Sequence, residues 1–283
     1  IWSYMTNFYV WGFEVDKDLL NDEELQYLSS LPSDLPSVDW VSKELDRIWD
    51  EQDLDNKQPL SNQNIGNYYS HPVWLMNGIF SAKDYDSLQH RESISKFLIS
   101  TGKNKFADFG GGFGQLAICM AKESEEVNIF IIEPYPIKVG AERIRENNNI
   151  NIVSSLKNNE YEAIVAQDVL EHVDDPINLA FEIAQSVSLG GYVIFANCFF
   201  PTIKSHIPST FHLRTTFPYI MKALGLDYIG IVDGAPHAQI FKKNKSLNFE
   251  KARRYEGISK LIGPIFNHVK RLLSFIKKLI KRK

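Results

Sequence analysis

Phe106-Ala107-Asp108-Phe109-Gly110-Gly111-Gly112-Phe113-Gly114-Gln115, followed by Leu116-Ala117-Ile118-Cys119-Met120-Ala121, is the stretch from which the fold of this 283-residue chain can be read. Short apolar residues lead into an acid, then into four glycines among five positions, then into an apolar run suited to a buried helix. That order predicts a strand, a tight turn and a helix N-terminus. Glycines in such a turn let backbone approach a ligand closely, and the exposed N–H groups of the helix start can bind it. A dinucleotide fingerprint G-x-G-x-x-G, read from Gly110 through Gly112, meets Gln115 where its third glycine belongs. Asp108, a carboxylate at the strand end, would repel a pyrophosphate and favours a cationic ligand.

Outward from this turn the pattern alternates. A helix predicted over Ser87 to Ile99 leads into the first strand; Val127 to Ile132 reads as a buried parallel strand closed by Glu133-Pro134. An acid at that place accepts hydrogen bonds from both ribose hydroxyls of a nucleoside, nicotinamide or otherwise. Ile150 to Val153 and Tyr161 to Ala166 are the next strands, and Ile177 to Val187 is helical. Leu189-Gly190-Gly191 reads as a turn into a fifth strand, Tyr192 to Asn197. Phe217 to Leu224 is a helix, and Leu226 to Val232 and Ala238 to Lys242, joined by Asp233-Gly234, are closing strands. The alternation predicts a parallel sheet covered on both faces, with ligands at the carboxyl ends of its strands.

Beyond the fourth strand stands Gln167-Asp168-Val169-Leu170-Glu171-His172-Val173-Asp174-Asp175-Pro176. The glycine pattern resembles the first motif of class I S-adenosylmethionine-dependent methyltransferases, whose cofactor carries an ammonium and a sulfonium and no phosphate. The second stretch closely resembles the V-L-E-H-V-x-D-P motif of small-molecule members, including the ubiquinone-pathway O-methyltransferases. With Glu133 and Leu189-Gly190-Gly191 the likeness covers about residues 90 to 200 in the right order. It implies a doubly wound α/β fold with a mostly parallel seven-stranded sheet. It also implies S-adenosyl-L-methionine as cofactor: Asp108, Gly110, Gly111, Gly112 and Gly114 at its methionine part, Glu133 and Pro134 at its ribose, Ser154 or Ser155 near its adenine. Gln167 and Asp168 would line the methyl-transfer face. The acceptor implied is an oxygen, less readily a nitrogen, of a small molecule or a glycan unit. Tyr68, Tyr69 and His71 would lie over the mouth, unless they are aromatic packing under a cap.

An oxygen acceptor must lose its proton, which calls for a base or a metal. His172 suits a base near neutral pH. If a helix starts near Asp168, then Asp168, Glu171 and His172 stand at i, i+3 and i+4 and face one way. This spacing is similar to the E-x-x-E-H metal site of small-RNA 2′-O-methyltransferases, which a downstream histidine completes; here His206 and His212 follow the fifth strand. Asp168 in place of Glu is a shorter arm. The catalytic candidates are therefore His172, Asp168 and His206, and the candidate set for a divalent metal is Asp168, Glu171, His172 and His206. The plainer alternative is a His172 that only packs its helix.

Composition, 44% hydrophobic and 23% charged, is that of a globular protein, and Cys119 and Cys198 give neither a disulfide framework nor metal-type spacing, so a reducing cytoplasm is expected. The chain opens on Ile1 rather than Met, which leaves an upstream segment open. Three regions are expected: a helical extension or lid over 1–86 with many aromatics (Trp2, Tyr4, Phe8, Tyr9, Trp11, Phe13), a catalytic domain over 87–245, and a tail over 246–283. From Lys251 onward eleven Lys or Arg face one acid, Glu256, which leaves 20 basic against 34 acidic residues, or −14, on the rest. Leu261, Ile262, Ile265, Phe266, Val269, Leu272, Leu273, Ile276, Leu279 and Ile280 recur at helical spacing, with Pro264 suited to a first turn. Such a helix over 258–283 lies on an anionic membrane surface, peripheral on the inner face, or packs on the domain or on another subunit. An acidic body argues against nucleic acid. Two rival functions stay open on the residues alone: an NAD-dependent oxidoreductase, disfavoured by Asp108 and Gln115, and a non-catalytic cofactor-binding scaffold held at a membrane by its tail.

Overall fold

Trp11 and Gly12 both take left-handed backbone angles, φ 53° and 71°, as a two-residue hairpin turn requires. They join β1 (Asn7–Val10) to the antiparallel β2 (Phe13–Asp16), so the N-terminal extension is not wholly helical as its composition suggested. The computed structural model describes residues 7–59 and 61–280, and side chains as far as Val269; Trp2, Tyr4 and Lys281 to Lys283 lie outside the described residues. Four helices follow the hairpin. In α1 (Asp22–Ser29) Asn21 and Glu24 form a reciprocal capping box, 2.8 Å in each direction. α2 (Val38–Glu51), α3 (Asn62–Tyr69) and α4 (Pro72–Ser81) complete the extension. Val15, Leu28, Trp49, Tyr68, Met76 and Ile79 bury each other there, together with Phe113 of the glycine turn. The extension thus shares a core with the glycine loop.

The main sheet holds β3 (Lys105–Phe109), β4 (Asn128–Ile132), β5 (Ile150–Val153), β6 (Tyr161–Gln167), β7 (Val187–Ala196), β8 (Leu226–Val232) and β9 (Ala235–Lys243). Their order is β5-β4-β3-β6-β7-β9-β8, and only β9 runs antiparallel to its neighbours, β7 and β8. The seven-stranded, mostly parallel sheet agrees with the sequence. Along β6 successive residues serve opposite cores: Ala163 and Val165 pack with α5 (Tyr85–Ser100) and α6 (Gln115–Glu123), while Ile164 and Ala166 pack with α8 (Pro176–Ser186) and α9 (Leu213–Leu224). A strand buried on both faces has no polar side to alternate. A short α7 (Lys138–Ile144) bridges β4 and β5.

Two expected boundaries move. Gly190 (φ 81°) and Gly191 lie inside β7, where the register against β6 slips between Tyr161 and Ala163. A side chain at Gly191 would stand 2.5 Å from the Glu162 carbonyl, so glycine lets the irregular strand stay paired rather than turn away. The C-terminal helix, α10 (Phe249–Ile280), begins well before Pro264 and continues through it. The order in which strands are added reverses between the parallel neighbours β3 and β6, and the crevice at their carboxyl ends is where such sheets bind ligands.

Candidate active site

Gly110, Gly112 and Gly114 all have left-handed φ (70°, 51° and 76°). A side chain at Gly110 would meet Val169 Cγ2 at 2.7 Å, so only glycine passes here. The Gly112 N–H donates to Glu133 Oε2 at 2.7 Å, and the Tyr135 N–H donates to Oε1 at 2.9 Å. Glu133 is thereby fixed beside the loop at the end of β4. Next to it opens a cavity of about 410 Å³, lined by Gly110, Gly112, Glu133 and Pro134 on one side and by Asp168, Val169 and His172 on the other. Its size suits a small-molecule ligand. Apolar and aromatic walls come from Tyr69, Trp74, Tyr135, Ile137 and Leu179.

Five cofactor candidates are off this wall: Gly111 and Gly114 of the loop itself, and Asp108, Ser154 and Gln167. Asp108 lies beneath the loop, 3% exposed, and a side chain at Gly111 would meet its Oδ2 at 2.7 Å. Burial pushes its carboxyl up to about 7, and Oδ2 has no hydrogen-bond partner. It supports the loop from behind and does not line the cavity. Ser154 is exposed and away from the cavity wall. Gln167 also stays off the wall, its Nε2 donating to Asp168 Oδ2 at 3.2 Å.

The expected helix from Asp168 is absent. Asp168 extends the sheet pairing, its N–H donating to the Ala196 carbonyl at 2.8 Å, then turns at φ 53°. Asp tolerates that conformation better than most residues. A single 3-10 turn, Leu170–His172, follows. Asp168 is consequently exposed at the cavity mouth instead of aligned with Glu171 and His172.

Glu171 is fully buried. Its Oε1 accepts from the Cys198 N–H at 2.6 Å, and its Oε2 has no partner. His172 Nδ1 lies 3.1 Å from the Ser205 carbonyl and His206 Nδ1 lies 2.8 Å from the Phe200 carbonyl. A carbonyl only accepts, so both rings carry their proton on Nδ1 and present a bare Nε2. The rings are nearly perpendicular at 4.8 Å, and one ligand atom from each of Glu171, His172 and His206 falls within 4.8 Å of the others. Burial and the adjacent His206 depress His172 to about 3, while burial and Asp168 raise Glu171. No other three such side chains converge among the described residues, and Asp168 is not of this group.

His212 is absent from it too. It is buried against α10, Nδ1 at 2.7 Å from Ser259 Oγ. Among the lid candidates only Tyr69 reaches the cavity, stacked on Tyr135 at 5.7 Å and edge-on to His172 at 6.4 Å. Tyr68 is core, and His71 caps α4 by accepting from the Val73 N–H at 3.0 Å. The sequence reading also missed how the extension fixes the loop carrying His206. Asp46 Oδ1 accepts from the Lys204 N–H at 2.6 Å, Asp50 pairs with Lys204 Nζ, and Asn56 Nδ2 donates to the carbonyls of Lys204 (2.6 Å) and His206 (3.3 Å). Tyr135 and Ile137 had a usable signal, since they directly follow the strand-ending Glu133-Pro134.

Residues 86–213 match the family model described as a methyltransferase domain. The chain carries a methyltransferase domain, on the fold of class I S-adenosylmethionine-dependent methyltransferases. This selects among the alternatives left by the residues and sets aside the nicotinamide reading. The methyltransferase shares its fold with an O-methyltransferase family protein from Burkholderia thailandensis, 10% identical over 73% of this chain and 70% of that one, TM-score 0.51. A candidate S-adenosylmethionine-dependent methyltransferase from Methanococcus maripaludis is 19% identical over 58% of this chain and 93% of that one, TM-score 0.44. Phosphoethanolamine N-methyltransferase 2 of Haemonchus contortus, in complex with phosphomonomethylethanolamine and S-adenosylhomocysteine, is 19% identical over 34% and 24%, TM-score 0.31. No curated protein matches the sequence.

Proposed function

We propose that this methyltransferase acts on an oxygen of a small molecule or sugar unit, with a divalent cation held by Glu171, His172 and His206. The observation that carries the metal is the unpartnered, fully buried Glu171 Oε2 beside two imidazoles whose Nδ1 protons are both committed to backbone carbonyls. A buried carboxylate oxygen without a partner is costly, and imidazoles oriented by their other nitrogen are the usual form of metal-binding histidine. The residues suit the cofactor as well: Glu133 has acceptor capacity left for ribose hydroxyls, and the glycine loop admits backbone contact.

The cofactor supplies an electrophilic sulfonium methyl, and a cation at this site lowers the pKa of an acceptor hydroxyl. The chain itself supplies position. Glu133 and the loop fix one end of the cavity, the Tyr69–Tyr135 stack walls its side, and His172 stands at the boundary between cavity and cluster. Alignment of donor and acceptor is the main demand of a methyl displacement. His172, held neutral by burial, is better suited to ligation than to proton abstraction.

Calorimetric titration of the full chain with S-adenosylhomocysteine, NAD and Mn²⁺ tests both parts. Binding of the homocysteine nucleoside and not NAD is expected, with Mn²⁺ uptake that Glu171→Gln removes and S-adenosylhomocysteine affinity that it preserves. A protein that takes up no divalent metal, or takes it up equally in the variant, would retire the metal site and leave the cofactor assignment standing.

A further inference from the structure

Helix α10 is fastened to the domain by its small and polar side chains. Ala252, Glu256 and Ser259 are buried, and a side chain at Gly263 would stand 2.5 Å from the His212 carbonyl. Ser259 Oγ meets His212 and also Thr216 Oγ1 at 2.5 Å. The large apolar residues of the same helix turn outward: Leu261 is 76% exposed, Ile265 64% and Phe266 52%. Ile258 and Val269 extend this stripe along the helix at spacings of three and four residues. Tyr255 on the same helix and Tyr219 of α9, across a groove from it, hold exposed aromatic rings. A continuous apolar face of this kind marks an interaction surface.

Charge decides what covers it. Between Gly257 and Lys283 the chain has eight Lys or Arg and no acid, on a molecule whose first 250 residues carry −14. Lys260, the one of these whose side chain is described, pairs with Glu256 at 3.0 Å. A second copy docked helix to helix would set cations against cations. An anionic bilayer complements both the charge and the apolar stripe, and tyrosines at the rim suit the headgroup level. No described helix is long and apolar enough to cross a membrane, so α10 would lie along the surface. We propose that α10 docks this methyltransferase on an anionic lipid surface through Ile258, Leu261, Ile265, Phe266 and Val269.

Flotation of the full chain with phosphatidylcholine vesicles, and with vesicles containing phosphatidylserine in addition, tests this. Binding is expected only to the anionic vesicles, weakened by salt. The triple substitution Leu261→Glu, Ile265→Glu, Phe266→Glu touches only exposed side chains, and should reduce vesicle binding by roughly tenfold or more while S-adenosylhomocysteine affinity stays unchanged. Absence of binding to anionic vesicles overturns the proposal, as does equal binding by the triple variant. A dimer seen by light scattering that the triple substitution dissociates, without vesicle binding, would assign the stripe to a second copy.

Discussion

The glycine side of the cavity comes from one continuous stretch, Asp108 to Tyr135, whereas the histidine side joins Glu171 and His172 to His206 and, through Lys204, to Asp46, Asp50 and Asn56 in the N-terminal extension. The first is set by backbone: left-handed glycines, a strand end and two N–H groups on one carboxylate. The second exists only when distant segments close on one another. Damage on one side should therefore leave the other working, and damage to the Asp46, Asp50 and Asn56 anchor should be felt at the histidines.

The sharpest break would come from Glu133→Ala. It removes the acceptors proposed for the ribose and the brace on Gly112 and Tyr135. Loss of hydrogen bonds to a charged group costs about 2.7 kcal/mol here, or ~100-fold in S-adenosylhomocysteine affinity measured by calorimetry. Mn²⁺ uptake should not move. If both ligands weakened together, the two sides would be one cooperative unit.

Asp46→Ala probes the converse with a smaller effect. Its carboxylate holds the Lys204 N–H two residues before His206 and touches neither cavity nor cluster. Loosening a group that orients a ligand should weaken Mn²⁺ roughly tenfold, with S-adenosylhomocysteine affinity kept. Unaltered metal affinity would mean that the His206 loop is held well enough by the Glu171 carbonyl, which accepts from the Ile207 N–H at 2.9 Å.

The same contrast governs what could be read from sequence. Strand, glycine turn and helix are coded by neighbours, so the doubly wound sheet and the place of Glu133 follow from local pattern. His206 and His212 look equivalent in sequence, since both lie shortly beyond β7. Only packing separates them, one ring turned to Phe200 and His172, the other to Ser259. Asp168 falls outside the helical spacing that its sequence predicts because its own left-handed backbone breaks the phase. The hairpin at Trp11-Gly12 was missed for a related reason: its turn lacks the usual Asn or Asp before glycine. Partners of Lys204 lie about 150 residues upstream, beyond any local signal.

Asp108 gives the finest test of the glycine side, through pH rather than affinity. Its carboxyl, ordinarily near 3.8, is raised to about 7 because it is sealed under the loop without a partner for Oδ2. In that window the folded state keeps a proton that the unfolded chain has released. Stability from this group is thus fully present below about 3.8 and is lost as pH rises towards 7, with a slope of at most ~1.4 kcal/mol per pH unit. Asp108→Asn keeps the shape and removes the titration, so denaturation of the variant across this range should fall less steeply than that of the wild type. Taking the difference between the two proteins cancels every other titrating group. Equal slopes would mean that Asp108 is ionised in the fold, and a carboxylate charged at that depth would need a cationic partner close behind the loop.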